Sequence, residues 1–303
     1  MLGVGFLFFK KEKQKIPEKE TFETAGPSLE KENFSLPEIF ISSLSPSQGD
    51  TLLIKIYNGA KIEKIDGYFG REKINFFQTG KDLTALIGID VKIKPGKLNL
   101  IINFSNGRQF EKELNIIESK FPVTELLVTK ELEKRGFTVS KIVEEIVAKE
   151  NLILREIVSL YTPRAYFDKA FTFPLEKIKN VGPFGNIRKS GQLTLQHLGV
   201  DLEAEIGTPV FAINNGVVRL AREFFNYGKT IVIDHGLGIF SLYLHLDEIK
   251  VFEGKEVKKG KIIALSGNTG YSIEPHLHFS LKINEASVDP LKFIEITNQH
   301  LEQ

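Results

Sequence analysis

Two of the six histidines in this chain stand two apart in Pro275-His276-Leu277-His278-Phe279-Ser280-Leu281. In a strand successive side chains point to opposite faces, so His276, His278 and Ser280 share one face and Leu277, Phe279 and Leu281 the other. A second segment, Gln196-His197-Leu198-Gly199-Val200-Asp201-Leu202, places a histidine and an aspartate four apart. Gly199 and Val200 argue against a helix there. Extended at about 3.3 Å per residue, the two Cα atoms would lie about 13 Å apart. Co-ordination of one ion by both therefore requires a bend near Gly199, where glycine permits it. In a third segment, Ile239–Leu246, alternation predicts that Tyr243 and His245 share a polar face, with Phe240, Leu242, Leu244 and Leu246 inward. His197, Asp201, His245, His276 and His278 are thus five candidate groups on polar strand faces. Imidazole nitrogen and carboxylate oxygen suit zinc, and three protein ligands plus water make a catalytic site. Two histidines then remain for acid–base work. His235, after Asp234 at a strand end, reads as a turn residue, and His300 as part of the tail.

The elements that must position these groups occupy residues 179–295. Val210–Ile213 and Val217–Leu220 flank Asn214-Asn215-Gly216, which predicts a hairpin. Thr230–Asp234 and Ile239–Leu246 flank His235-Gly236-Leu237-Gly238, which predicts another. Ser266-Gly267-Asn268-Thr269-Gly270 lacks the Lys-Ser/Thr pair and helix of a phosphate loop. Upstream, residues 48–120 carry short β-prone runs, among them Leu52–Tyr57, Ile65–Phe69, Ile74–Phe77 and Leu98–Phe104, punctuated by Asn58-Gly59, Pro95-Gly96 and Asn106-Gly107. That pattern predicts an antiparallel sandwich. Residues 121–178 change period: Ser140 is expected to cap a helix whose apolar face includes Ile142, Val143, Ile146, Ile153, Ile157 and Leu160, ending by Pro163. Tyr166, Phe167, Phe171 and Phe173 read as core or interdomain packing. The helices lie directly before the metal-site region, which raises the expectation that they cover its groove and hold it latent. A chain starting near Lys177 would then be more active than the full chain.

Composition narrows the function classes. Forty Lys+Arg against 39 Asp+Glu leave a net charge of +1, no field for nucleic acid. The absence of cysteine excludes disulfides, thiolate metal sites and a catalytic cysteine. Leu2–Phe9 is apolar and followed by Lys10, Lys11 and Lys13. It is shorter than the roughly 20 residues of a spanning helix, and reads as the remnant of an export signal or a membrane tether. Residues 10–47 read as a solvated linker, so residues 1–47 form an apolar remnant and linker, and 296–303 a tail.

The motifs together resemble those of the lysostaphin/LytM-type zinc endopeptidases: His197-Leu-Gly-Val-Asp201, Tyr243-Leu-His245 and His276-Leu-His278, in the family's order. Gly207-Thr208-Pro209-Val210, Asn215-Gly216-Val217-Val218, Tyr227-Gly228, Asp234-His235-Gly236 and Gly267-Asn268-Thr269-Gly270 resemble its flanking segments, and Phe184-Gly185-Asn186-Ile187-Arg188 its opening segment. The resemblance spans about Gly182 to Pro290 and implies a mainly β chain. It implies an immunoglobulin-like sandwich followed by a helical connector and an antiparallel β barrel or sandwich peptidase domain. It implies one zinc ion held by His197, Asp201 and His278, with His276 and His245 as catalytic histidines. Tyr227, Tyr243 and Asn268 are expected to line the groove. The implied substrate is the stem or cross-bridge peptide of peptidoglycan, in the periplasm, envelope or secreted space, with a regulatory protein partner also envisaged. A non-catalytic protein of the same fold, binding peptidoglycan or activating another hydrolase, is the alternative, and a structural metal site in an adhesion protein a third. Glu274 stands where a small residue usually precedes Pro275-His276, and Ser280 where an acidic residue often follows. Both are expected to alter the groove without touching the ligands.

Overall fold

The computed structural model describes residues 37–301 except 168; the apolar run Leu2–Phe9 and most of the predicted linker lie outside the described residues. The β-prone runs of the N-terminal half form eight strands: β1 (Ile39–Ile41), β2 (Thr51–Ile56), β3 (Ile65–Phe69), β4 (Glu72–Ile74), β5 (Phe77–Thr79), β6 (Asp82–Gly88), β7 (Gly96–Phe104) and β8 (Gln109–Ile116). They make two four-stranded antiparallel sheets, β1-β2-β6-β5 and β4-β3-β7-β8. Leu52, Ile54 and Ile56 from one sheet meet Leu100, Ile102 and Leu114 from the other in a common core. The predicted strand Ile74–Phe77 is instead the crossing from one sheet to the other, between β4 and β5. β2 is buried on both faces, because Leu53 faces away from the sandwich into the core that holds Phe167, Phe171 and Phe293. The aromatic stretch therefore joins the two halves.

The connector begins with β9 (Val123–Glu125), which pairs in parallel with β11 (Ile187–Ser190), itself antiparallel to β12 (Leu193–Gln196). Next come α1 (Lys130–Lys134), α2 (Val139–Glu145), a π turn over Ile146–Glu150, and α3 (Asn151–Val158). The cap of α2 is Thr138 rather than Ser140: the Thr138 hydroxyl accepts from the Lys141 N–H at 3.2 Å. Leu154 and Val158 are the buried positions of α3, flanked by Ile153 and Ile157, while Leu160 is exposed.

The remaining strands are β10 (Asn180–Gly182), β13 (Val200–Glu203), β14 (Pro209–Phe211), β15 (Gly216–Phe224), β16 (Gly228–Gly236), β17 (Ile239–Ile249), β18 (Glu256–Val257), β19 (Ile262–Ser266), β20 (His276–Ile283) and β21 (Ala286–Val288), followed by α4 (Pro290–His300). Their antiparallel order is β10-β13-β20-β17-β16-β15-β18, with β19 joining β17 to β14. The β16–β17 hairpin forms as its turn residues predict. The one predicted at Asn214-Asn215-Gly216 does not, because β14 pairs with β19 and β15 with β16 and β18. The Asn214 side-chain amide instead donates to the carbonyls of Lys169 and Ala170. Of the residues read as a tail, 296–300 are the end of α4, capped by Asp289 and carrying Pro290 in its first turn.

Candidate active site

The bend required between His197 and Asp201 is present. β12 ends at Gln196, the chain turns at Gly199, and Asp201 sits on β13, so the two residues are not on one strand. A Cβ at Gly199 would lie 2.3 Å from Ser280 Oγ and 2.6 Å from His278 Nε2, so only glycine lets β13 pass this close. Asp201 and His278 are direct cross-strand partners on β13 and β20. Along β20 the alternation holds: Leu277, Phe279, Leu281 and Ile283 enter the core, and His276, His278 and Ser280 face the other way.

Three ligand-type atoms converge here. His197 Nε2 is 2.9 Å from Asp201 Oδ1 and 2.9 Å from His278 Nδ1, and the latter two atoms are also 2.9 Å apart. Second bonds orient each group. His197 Nδ1–H donates to the Pro183 carbonyl at 3.0 Å, which leaves Nε2 a lone pair. His278 Nε2 lies 2.8 Å from Ser280 Oγ, which lets Nδ1 face inward unprotonated. The second oxygen of Asp201 accepts from the Arg188 guanidinium at 3.0 Å. Three acceptor sites aimed at one point need a cation between them. Edges of 2.9 Å approach the roughly 3.3 Å of a tetrahedral site with bonds near 2.0 Å. The donor set therefore fits a divalent metal ion, and His197, Asp201 and His278 are the group among the described residues that could hold one. Ser280 corrects an expectation: it does touch a ligand. Glu274 bears on the site through its backbone, whose carbonyl accepts from His276 Nδ1 at 2.7 Å.

His276 Nε2 lies 3.5 Å from Asp201 Oδ1. The His245 ring centroid is 4.9 Å from that of His276 and 6.0 Å from that of His278. His245 reaches this position by breaking the strand. Its φ of 60° is left-handed, a conformation that costs a non-glycine residue about 1–3 kcal/mol, and the ladder to β16 shifts register nearby. Such a bulge re-aims a side chain. Without it His245 would follow Tyr243 and Ser241 into the core. With it, His245 joins Leu242 and Leu244 on the cleft face. Tyr243 accordingly does not line a groove. It is fully buried, and its hydroxyl accepts from the Ile213 N–H at 3.1 Å. Leu246 lies in that same core.

The electrostatics follow from burial and crowding. Burial works to raise the Asp201 carboxyl, but the imidazoles of His197, His276 and His278 packed against it outweigh burial and hold the carboxyl far below its ordinary range. Burial, with the neighbouring histidines, pushes His278 down to about 4 against the pull of Asp201. Burial foremost, then His276 and His278, keeps His245 well below the ordinary imidazole value. His276 goes the other way: burial lowers it, and the bond to Asp201 more than compensates, so it is raised. One of the two free imidazoles is thus held neutral while the other takes a proton readily.

A cavity of about 690 Å³ opens on His197, His278 and His245 and continues between the sheet and the connector, past Tyr227, Asn151 and Leu154. The connector thus forms a wall of this cleft. Tyr227 lies on the cavity, its hydroxyl donating to Asn151 Oδ1 at 2.7 Å. Asn268 is not on its wall; the Asn268 side-chain oxygen is buried without a partner. Arg188 and Pro183 escaped the sequence reading as site residues, and Ser280 was expected to shape the groove rather than to touch a ligand. Arg188 carried a signal in the Phe184–Arg188 segment, whereas nothing in the sequence marked the carbonyl of Pro183. His235 is not a turn residue but lies within β16. It is fully buried, with Nδ1–H donating to the Asn215 carbonyl at 2.7 Å and Nε2 2.8 Å from Ser241 Oγ, and burial pushes it down to about 4.

Residues 195–290 match the model of Peptidase family M23. The chain is 42% identical over 96 residues to the peptidoglycan DD-endopeptidase ShyA of Vibrio cholerae, covering 32% of this chain and 22% of ShyA. It is 40% identical over 105 residues to lysostaphin of Staphylococcus staphylolyticus, covering 33% of this chain and 22% of lysostaphin. It therefore spans about a quarter or less of the length of the curated relatives it matches. A crystal structure of an M23 peptidase from Pseudomonas aeruginosa superposes with a TM-score of 0.58 at 23% identity, covering 82% of this chain and 95% of that one, a likeness of fold.

Proposed function

We propose, from the M23 peptidase domain that residues 195–290 form, that this chain is a zinc-dependent endopeptidase cutting peptide cross-links of peptidoglycan outside the cytoplasm. The observation that carries the reading is the convergence of His197 Nε2, Asp201 Oδ1 and His278 Nδ1 at 2.9 Å beside two further imidazoles. His197, Asp201 and His278 would hold the ion. A bound zinc supplies Lewis acidity toward a carbonyl and lowers the pKa of water toward neutrality. His276 and His245 then divide the proton work. His276, drawn toward Asp201, holds a proton readily on Nε2 and can pass it to a leaving amine. His245 donates through Nδ1–H to the Thr269 carbonyl at 2.8 Å, so its Nε2 is a free base facing the cleft. Arg188 and Ser280 keep the ligands in register, and Tyr227 borders the groove. The peptidoglycan DD-endopeptidase ShyA supports peptidoglycan as the substrate class, and with it an extracytoplasmic site of action. Among the described residues no helix is long and apolar enough to cross a membrane. A tether through Leu2–Phe9 and control by a partner protein belong to the same proposal.

The test combines metal and turnover. Purified protein should carry about one zinc per chain and release peptide fragments from cross-linked muropeptides, with product masses naming the bond. His278→Ala should lose the metal, whereas His245→Ala should keep it and lose turnover at least about 100-fold. Equal metal loss in both variants, or intact muropeptides with the zinc-loaded protein, overturns the assignment.

A further inference from the structure

The left-handed backbone of His245 must be held by its surroundings, and two loops hold it. The His245 N–H donates to the Tyr227 carbonyl at 3.0 Å, in the turn between β15 and β16. The His245 side chain donates to the Thr269 carbonyl at 2.8 Å, in the loop between β19 and β20. The backbone of each loop is gripped from outside residues 195–290 by a connector side chain. Glu150, 3% exposed, accepts from the Asn226 N–H at 2.8 Å and the Tyr227 N–H at 3.3 Å. Arg135 donates to the carbonyls of Asn268 at 3.3 Å, Gly270 at 2.5 Å and Ser272 at 3.2 Å, on both sides of Thr269. The Tyr271 N–H, donating to the Asn226 carbonyl at 2.7 Å, ties the two loops together. A carboxylate buried like Glu150, with no cation within salt-bridge range among the described residues, is costly to place. Burial raises its carboxyl against the opposing backbone donors.

We infer that Glu150 and Arg135 are positioning residues that set the backbone and ring orientation of His245. The connector is then part of the machinery that presents this imidazole. On the latency expectation, removing the connector raises activity; on this inference it removes both grips on His245. The inference rests on the proposed catalytic role of His245, but its first readout does not depend on turnover.

The experiment uses the zinc-loaded full chain with Glu150→Ala, Glu150→Gln, Arg135→Ala and Arg135→Lys. Long-range proton–nitrogen NMR of the histidine rings reads the His245 tautomer. Wild type should show a single Nδ1–H form. The alanine variants should show a mixture with Nε2–H, at unchanged zinc content, and the conservative variants should lie between. On cross-linked muropeptides, kcat should fall about 10-fold or more with KM within about 2-fold. In a His245→Ala background the further loss from Glu150→Ala should shrink below about 2-fold, because the two act through one group. An unchanged His245 tautomer in folded Glu150 and Arg135 variants overturns the inference, as does a full additional loss in the His245→Ala background. If Glu150→Ala does not fold, Glu150→Gln decides on the same criteria. If wild type cleaves no muropeptide, the NMR result alone decides this inference, while the endopeptidase reading fails separately.

Discussion

At the scale of single residues, the site is made as much by the partners of the histidines as by the histidines. His197 and His278 face one point because Pro183 and Ser280 occupy their other nitrogens. His235 shows the same chemistry put to a structural use, sealed between Asn215 and Ser241 and stacked edge-on against Phe171. Its folded value of about 4 lies below the ordinary 6.5. As pH falls through that window the unfolded chain takes up a proton that the folded chain refuses, so stability falls with pH. The loss from this group between pH 7 and 4.5 is about 2 kcal/mol. Urea unfolding at the two pH values should show that difference shrink by about this amount in His235→Gln. An unchanged pH dependence would contradict the assignment of a buried neutral imidazole. The difference between His235 and His278 was not legible in sequence. Both follow a polar or apolar alternation equally well, and only the neighbours brought by other strands distinguish a sealed ring from an accessible one.

At the scale of elements, the period of two read β20 correctly and misread β17. On β20 no residue leaves the extended region, so His276, His278 and Ser280 keep one face throughout. On β17 the left-handed turn of the chain at His245 resets the count, and Tyr243, grouped with His245 by alternation, goes to the core. A single non-glycine residue with positive φ leaves no compositional trace, which is why the sequence could not announce it. Gly199 did announce itself, since the His197–Asp201 spacing demanded a bend. Gly199→Ala would drive a methyl to within 2.6 Å of the Phe279 carbonyl as well as against Ser280 and His278. β13 and β20 must then separate, at a cost of about 1–3 kcal/mol. Calorimetric titration should show zinc affinity weakened about 10-fold or more, because Asp201 and His278 are cross-strand partners. Wild-type affinity in this variant would show that the close approach is not needed.

At the scale of the whole molecule, the sandwich is fused to the metal-site region rather than strung beside it. Leu53 shares a core with Phe167, Phe171 and Val288. Polar ties reinforce it: Lys292 Nζ to Asp50 Oδ1 at 2.7 Å, Lys55 Nζ to the His300 carbonyl at 2.8 Å, and the Ser287 N–H to Asp90 Oδ2 at 2.8 Å. Leu53→Ala, at a fully buried position in that shared core, should cost about 3 kcal/mol. Calorimetry should record one unfolding transition in wild type and variant alike, at a lower temperature in the variant. Two separate transitions in wild type would show that the halves unfold independently. The helix α4 that makes part of this junction went unread, although Asp289-Pro290 is a start signal, because it follows directly on a strand run and is only 11 residues long.

The sequence by itself determined the residue types of the site, the alternating strand that carries His276 and His278, the need for a bend at Gly199, and a β-rich chain with a helical connector. These follow from local chemistry and short periodicity, which a strand or turn expresses wherever it lies. Only the tertiary structure decided which nitrogens face one another, that Tyr243 is core and His245 cleft, and that Ser280 and Arg188 support the ligands. It also decided that the connector reaches in with Glu150 and Arg135. Apart from the Ser280–His278 contact, two positions apart on one strand, these depend on contacts between residues 13 to 135 positions apart. Such pairings are selected by packing and hydrogen-bond satisfaction in the folded chain, and no local pattern encodes them.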